Sequence, residues 1–132
     1  MENKNTILFV DDEKIILDSL KSQLRRHFGA RFNYESALDA DEAWELINEL
    51  DSENVIIIVS DWLMPGVRGD EFLIQVHETY PNVIKIMLTG QADHEAISRA
   101  FREAAMHTCL SKPWSEEELV GVLEKALAEK KG

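Results

Sequence analysis

Val55-Ile56-Ile57-Ile58-Val59-Ser60-Asp61 is the most apolar run of the chain, closed by a serine and an acid. Five consecutive β-branched aliphatic residues leave no polar face. A strand made of them must be covered on both sides, which is the condition of a central strand in a parallel sheet. It ends on a carboxylate, Asp61, followed by Pro65, Gly66 and Gly69, the composition of a constrained loop.

Working outward, the same alternation recurs. Upstream, Ile7-Leu8-Phe9-Val10 is a short apolar run, and Ile16, Leu17, Leu20, Leu24 and Phe28 come after it at helical spacing, with Gly29 as the stop. Phe32-Asn33-Tyr34 alternates like an outer strand. Asp39 and Glu42 then form a capping-box pair opening a helix through Leu50. Downstream, Phe72, Leu73, Val76 and Tyr80 predict a helix that Pro81 ends. Val83 to Leu88 is a fourth strand, and Ala96, Ile97, Ala100, Phe101 and Ala104 mark the next helix. Thr108-Cys109-Leu110 is a short fifth strand. The last helix opens on the pair Ser115 and Glu118 and buries Leu119, Val122, Leu123 and Leu127. Strands alternating with helices imply a doubly wound α/β fold, a parallel sheet covered on both faces by right-handed crossovers. Ligands of such sheets sit outside the carboxyl ends of the strands, near the switch in strand order.

Four strand ends carry the chemistry. Asp11-Asp12 follows the first strand, Asp61 ends the third, Thr89 follows the fourth before Gly90, and Lys112-Pro113 follows the fifth. Brought to one edge they make a pocket of three carboxylates, a hydroxyl and an ammonium. Two carboxylates about 4 Å apart repel by roughly 4 kcal/mol at an effective dielectric near 20, so the cluster calls for a cation. Hard carboxylate oxygens suit Mg²⁺. A carboxylate is also a competent nucleophile toward phosphorus, with Mg²⁺ and Lys112 neutralising the equatorial oxygens. Each piece has a plainer reading. Asp11-Asp12 can cap the first helix, Asp61 can cap its loop, Thr89 can be a turn hydroxyl, and Lys112 can be a surface lysine that Pro113, as a cis bond in particular, would instead aim inward. Their joint occurrence, in order and each at a strand end, favours the pocket.

At 132 residues and 45% hydrophobic content the chain is long enough for one domain with a real core. A net charge of −11 disfavours direct binding to nucleic acid and to anionic membranes and favours basic partners. Cys109 is the only cysteine, so no internal disulfide forms. Met1 to Asn5 lacks signal-peptide character, and the longest aliphatic run is far too short to span a bilayer, so a cytoplasmic location is expected. His27, His77, His94 and His107 lie on separate elements without metal-ligand spacing. Trp44 reads as packing at a helix surface. Trp62 and Trp114 flank the expected pocket edge, as packing or as a recognition surface.

The motifs Phe9-Val10-Asp11-Asp12-Glu13, Asp61-Trp62-Leu63-Met64-Pro65 with Gly69, Leu88-Thr89-Gly90 and Lys112-Pro113-Trp114 resemble those of a receiver domain of two-component response regulators. They span essentially the whole chain, residues 1–132, as a single receiver domain. The resemblance implies a flavodoxin-like sheet of five parallel strands in the order 2-1-3-4-5, with two helices on one face and three on the other. It implies Asp61 as phosphoacceptor and Mg²⁺ as cofactor, held by Asp11, Asp12, Asp61 and the backbone carbonyl of Leu63. Thr89 and Lys112 would contact the phosphoryl group. The donor would be a sensor histidine kinase, a phosphotransfer domain or acetyl phosphate. The domain would act only on itself, not as an enzyme on other substrates, and would control an effector domain, a docking protein or its own dimerisation. Two departures stand out: Cys109 occupies a position where many receivers carry an aromatic ring, and Leu63 and Gln91 occupy positions that often tune phosphoryl lifetime. An aspartate-nucleophile phosphatase would need Asp-x-Asp after its first strand, which is absent. No Gly-x-Gly-x-x-Gly follows any strand. The alternative left standing is a phosphorylation-independent docking module on the same fold.

Overall fold

Five parallel strands form one sheet in the order β2-β1-β3-β4-β5. In the computed structural model, residues 5–50, 54–90 and 94–131 are described. The chain runs β1 (Asn5–Val10), α1 (Lys14–Phe28), a short 3-10 helix (Gly29–Arg31), β2 (Phe32–Ala37), α2 (Ala40–Glu49) and β3 (Val55–Asp61). It continues through α3 (Gly69–Thr79), β4 (Ile84–Thr89), α4 (His94–Glu103), β5 (Thr108–Ser111) and α5 (Glu116–Lys131). The expected strand order and the alternation of elements are both found.

The continuous run of β3 is buried along its whole length, between β1 and β4. Its residues divide between two cores. Ile58 joins Leu8, Val10 and Met87 against Ala43 and Ile47 of α2, Phe72, Leu73 and Val76 of α3 and Ala100 of α4. Ile57 and Val59 join Ile7, Phe9, Ile86 and Leu88 against Leu17, Leu20 and Leu24 of α1 and Leu119 and Leu123 of α5. Three helices therefore cover one face and two the other. A register shift in the pairing of β1 with β3 falls between Thr6 and Ile7, so Ile56 and Ile57 both join the second core despite being neighbours.

The helix starts follow their caps. Glu42 N–H donates to Asp39 Oδ1 (2.8 Å), and Glu42 Oε1 accepts from Leu38 N–H (3.0 Å). At α5 the exchange is reciprocal, Glu118 N–H to Ser115 Oγ and Ser115 N–H to Glu118 Oε1, both 3.0 Å. Gly29 ends α1 with φ 58°, a conformation costly for other residues. The aromatic expectations separate. Trp44 packs edge-on to Phe72 and reaches Gln75 with its indole N–H. Trp114 packs on the second core and donates to Gln23.

Two expectations are corrected. Helical spacing sets Phe101 on the apolar stripe of its helix, yet it is 45% exposed. The buried stripe of α4 is set by Ala96 and Ala100, and one residue is about 100° of helix rotation, which turns Phe101 outward. Val122 and Leu127 are half-buried rather than core. Cys109 is half-buried because β5 is an edge strand, and burial pushes its thiol pKa up. The histidines lie apart: His27 and His107 pair with Glu124 and Glu129, and His77 meets Lys85.

Candidate functional site

The carboxyl ends of the central strands open onto a cleft of about 490 Å³, lined by Asp12, Glu13, Asp61, Trp62, Leu63, Met64, Pro65, Thr89, Gly90 and Lys112. The sheet itself assembles it. Parallel pairing brings Asp61, the last residue of β3, beside Leu88 in β4, and Thr89 beside Ser111 in β5, one residue before Lys112. Lys112 N–H donates to the Thr89 carbonyl at 2.9 Å, which fixes the start of the lysine turn. The Lys112–Pro113 peptide is cis.

The three carboxylates meet as the strand ends suggest. Asp11, Asp12 and Asp61 each offer an oxygen, all within 4.8 Å of one another. Asp11 is fully buried, Asp61 is 6% exposed, and Asp12 faces solvent. Lys112 reaches across them. Its ammonium donates to Asp11 Oδ2 at 2.8 Å and lies 3.0 Å from Asp61 Oδ1. Burial works to lower the Lys112 pKa, but its bonds to Asp11 and Asp61 outweigh this and hold it above the ordinary value. Burial raises the Asp61 pKa, and Asp11 and Asp12 add to the rise against the opposing pull of Lys112. Three carboxylates against one ammonium leave the cleft anionic. Its donors are all hard oxygens, so a divalent cation such as Mg²⁺ fits it.

The plainer reading of Asp11 holds in part as well. Its other oxygen accepts from Glu13 N–H at 2.8 Å, which shapes the entry to α1. The N-cap itself, Glu13, makes no side-chain cap. Leu63 lines the cleft with its side chain 57% exposed. Gln91 lies outside the described residues. Trp62 is half-buried against the first core, with the Arg68 guanidinium 5.8 Å from its ring and its indole nitrogen buried without a partner among the described residues.

Three features go beyond the sequence reading: the contact that requires Gly69, and the burial of Asp70 and of Lys85. Gly69 opens α3 directly against the end of β3. A Cβ there would lie 2.0 Å from the Asp61 carbonyl oxygen, and Gly69 N–H donates to Trp62 O at 2.7 Å. The loop that presents Asp61 is thus closed by a contact only glycine allows. Asp70, the next residue, is wholly buried and pairs with Arg68 (3.2 Å). Lys85, inside an apolar run, is 1% exposed and donates to Val83 O at 2.7 Å, at the opposite end of the sheet from the cleft.

An acidic, lysine-bridged cleft at the carboxyl edge of a five-stranded doubly wound sheet defines a class of small signalling domain. The family model described as "Response regulator receiver domain" matches residues 7–124, and the chain belongs to that family. It is 32% identical over 126 residues to the hydrogenase transcriptional regulatory protein HoxA of Cupriavidus necator, covering 96% of this chain and 25% of that protein. It is 26% identical to a chemotaxis protein CheY homolog of Campylobacter jejuni, covering 92% of this chain and 91% of that one. Among solved structures, the signal receiver domain of an HD domain-containing protein from Pseudomonas fluorescens Pf-5 superposes with a TM-score of 0.88 at 30% identity, covering 98% of each chain. The chain thus spans a quarter of the length of the first relative and nearly all of the second.

Proposed function

We propose that residues 1–132 act as one receiver domain that takes a phosphoryl group on Asp61 and changes its surface in response. The observation that carries this reading is the convergence of Asp11, Asp12 and Asp61 within 4.8 Å, with Lys112 bridging two of them. Mg²⁺ would be held by Asp11, Asp12, Asp61 and the Leu63 carbonyl. When bound it supplies positive charge beside the phosphoryl oxygens. The rest is the work of the chain's own residues.

Asp61 is the nucleophile. Its side-chain oxygen attacks phosphorus in line, an O–P bond forms, and the N–P bond of a donor phosphohistidine breaks. The electron pair returns to the imidazole nitrogen, and an acyl phosphate remains on Asp61. Lys112 already faces Asp61 and offers its ammonium to the phosphoryl oxygens. Thr89, at the end of β4 between the strands that carry Asp61 and Lys112, offers its hydroxyl to the same group. Leu63 presents only an apolar side chain toward solvent, so nothing on it orients an attacking water, and hydrolysis of the acyl phosphate is slow.

The donor is a sensor histidine kinase, a phosphotransfer domain or acetyl phosphate. The output is an attached effector domain, a docking protein or a homodimer. The domain catalyses only its own phosphorylation and dephosphorylation. No helix among the described residues is long and apolar enough to cross a membrane. The acidic charge supports a module that contacts neither anionic membrane nor nucleic acid itself, and its proposed location is cytoplasmic. Intact mass after incubation with acetyl phosphate and Mg²⁺ tests the reading. The wild type should gain one phosphoryl group only with Mg²⁺, and Asp61→Asn should gain none. A wild type that takes nothing from acetyl phosphate or from kinase phosphohistidine would leave the phosphorylation-independent docking module instead.

A further inference from the structure

Helix α4 packs chiefly on α3 rather than on the sheet. Its buried residues, Ala96 and Ala100, are small, while Phe101 points outward. It ends in a turn where Ala104 and Met106 N–H both donate to Ala100 O, at 3.0 and 3.2 Å, with Ala105 at φ 49°. A residue other than glycine occupies that left-handed conformation only at a cost.

The main polar tie of α4 is Arg99. Its guanidinium donates to Glu71 of α3 at 2.5 Å and to Glu103 at 2.9 Å, and lies 3.9 Å from Asp70. Exposed ion pairs contribute little to holding helices together, but Asp70 is not exposed. It is wholly buried, and one of its oxygens has no hydrogen-bond partner among the described residues. A buried carboxylate depends on its cations, here Arg68 and Arg99. Asp70 in turn follows Gly69, which abuts the Asp61 carbonyl with no room for even a methyl group. Asp70 is thus one residue from a close backbone contact with Asp61.

We propose that Arg99 is a latch coupling the state of Asp61 to α4: in the unmodified protein it holds α4 to α3 through Asp70 and Glu71, and phosphorylation of Asp61 displaces the start of α3, loosens the tie and frees the α4 face that bears Phe101. The inference rests on the phosphorylation reading above. It gives the chain a route from the cleft to its surface without the ring that Cys109 replaces.

Hydrogen exchange across residues 94–104 tests it, in wild type, Arg99→Ala and Glu71→Gln, each with and without acetyl phosphate and Mg²⁺, with phosphoryl content read by intact mass. Alanine is the best helix former, so Arg99→Ala keeps α4 helical. Wild-type α4 should exchange at least about five-fold faster when phosphorylated, the low end of ordinary coupling. Both variants should already exchange fast when unmodified, and phosphorylation should add nothing. A merely structural Arg99 would speed exchange equally in both states and preserve the ratio, which overturns the latch. So does a phosphorylated wild type whose α4 exchange is unchanged. A wild type whose mass shows no phosphoryl group overturns the phosphorylation reading first, and the latch with it.

Discussion

Replacing Asp61 by Asn should stabilise the fold when no divalent cation is present. Asp61 faces one attraction and at least one repulsion at close range. Lys112 lies 3.0 Å away, a gross attraction of about 5.5 kcal/mol at an effective dielectric of 20. Asp11 presents an oxygen within 4.8 Å, a gross repulsion of at least about 3.5 kcal/mol on the same scale. Asp12 adds a water-screened share. The remaining attraction, about 2 kcal/mol at most, stands against removing a carboxylate from water, which costs several kcal/mol. Burial therefore decides the sign, in agreement with the raised Asp61 pKa. An acid whose folded pKa is raised binds more protons in the folded state, so stability falls as pH rises from the ordinary carboxylate value through the folded one. Above the folded pKa that loss is complete. Asp61→Asn removes it, for a gain of about 1 kcal/mol or more, the several kcal/mol of carboxylate desolvation less the roughly 2 kcal/mol of remaining attraction.

The assay is urea unfolding followed by tryptophan fluorescence, in EDTA and then in Mg²⁺. In EDTA the variant midpoint should rise by roughly 0.5 M, given an m-value of about 1–3 kcal/mol/M. Mg²⁺ should reverse the order. At ten times its dissociation constant a ligand adds about 1.4 kcal/mol to the state that binds it, and the variant has lost one carboxylate ligand. An Asp61→Asn protein less stable than wild type in EDTA would show that the Lys112 pair outweighs desolvation, the opposite of what burial predicts. The acid side gives a second check: the fall in wild-type stability just above the ordinary carboxylate pKa should vanish in the variant.

Gly69→Ala sets a methyl group 2.0 Å from the Asp61 carbonyl oxygen, so thermal unfolding should show a loss of about 2–3 kcal/mol or more, as in other overpacked sites. Ala105→Gly relieves the left-handed residue after α4 and should raise stability by about 1 kcal/mol in the same assay, with Asp61 phosphorylation by acetyl phosphate retained. Leu63→Asn puts a polar group at the rim of the cleft able to orient water, so the phosphorylated protein should lose its phosphoryl group faster, read by the decay of the added mass. A decay no faster than wild type would count against the role given to Leu63.

The elements were legible because each is a local pattern. The run Val55–Val59 dictates a doubly covered strand from its composition alone, and the pairs Asp39–Glu42 and Ser115–Glu118 state where helices begin. The pocket was legible for a topological reason: parallel strands all point the same way, so residues at successive strand ends must share an edge. The features that escaped depend on angles and distances between elements. The outward turn of Phe101 comes from which side of α4 meets the sheet, and that side is set by alanines whose pattern is weak. The pairing of Arg99 with Asp70 joins two helices that no local signal relates. Lys85 was hidden because a strand pattern marks a charge as outward, whereas its long stem crosses the core and its ammonium finds backbone carbonyls.

This division bears on how the cleft and the surface are connected. The cleft is specified by strand ends, which the sheet holds fixed through β1, β3 and β4. The seating of α4 is specified by side chains of its own and of α3, above all Arg99, Asp70 and Glu71. Substitutions on α4 and at the start of α3 can therefore alter which surface responds while the sheet edge keeps its chemistry. Gly69 is the exception, because it belongs to both. It closes the loop behind Asp61 and begins the helix that Arg99 grips. A change there should disturb phosphorylation and α4 together, whereas Arg99→Ala should leave the carboxylate cluster intact and alter only the response of α4 to it.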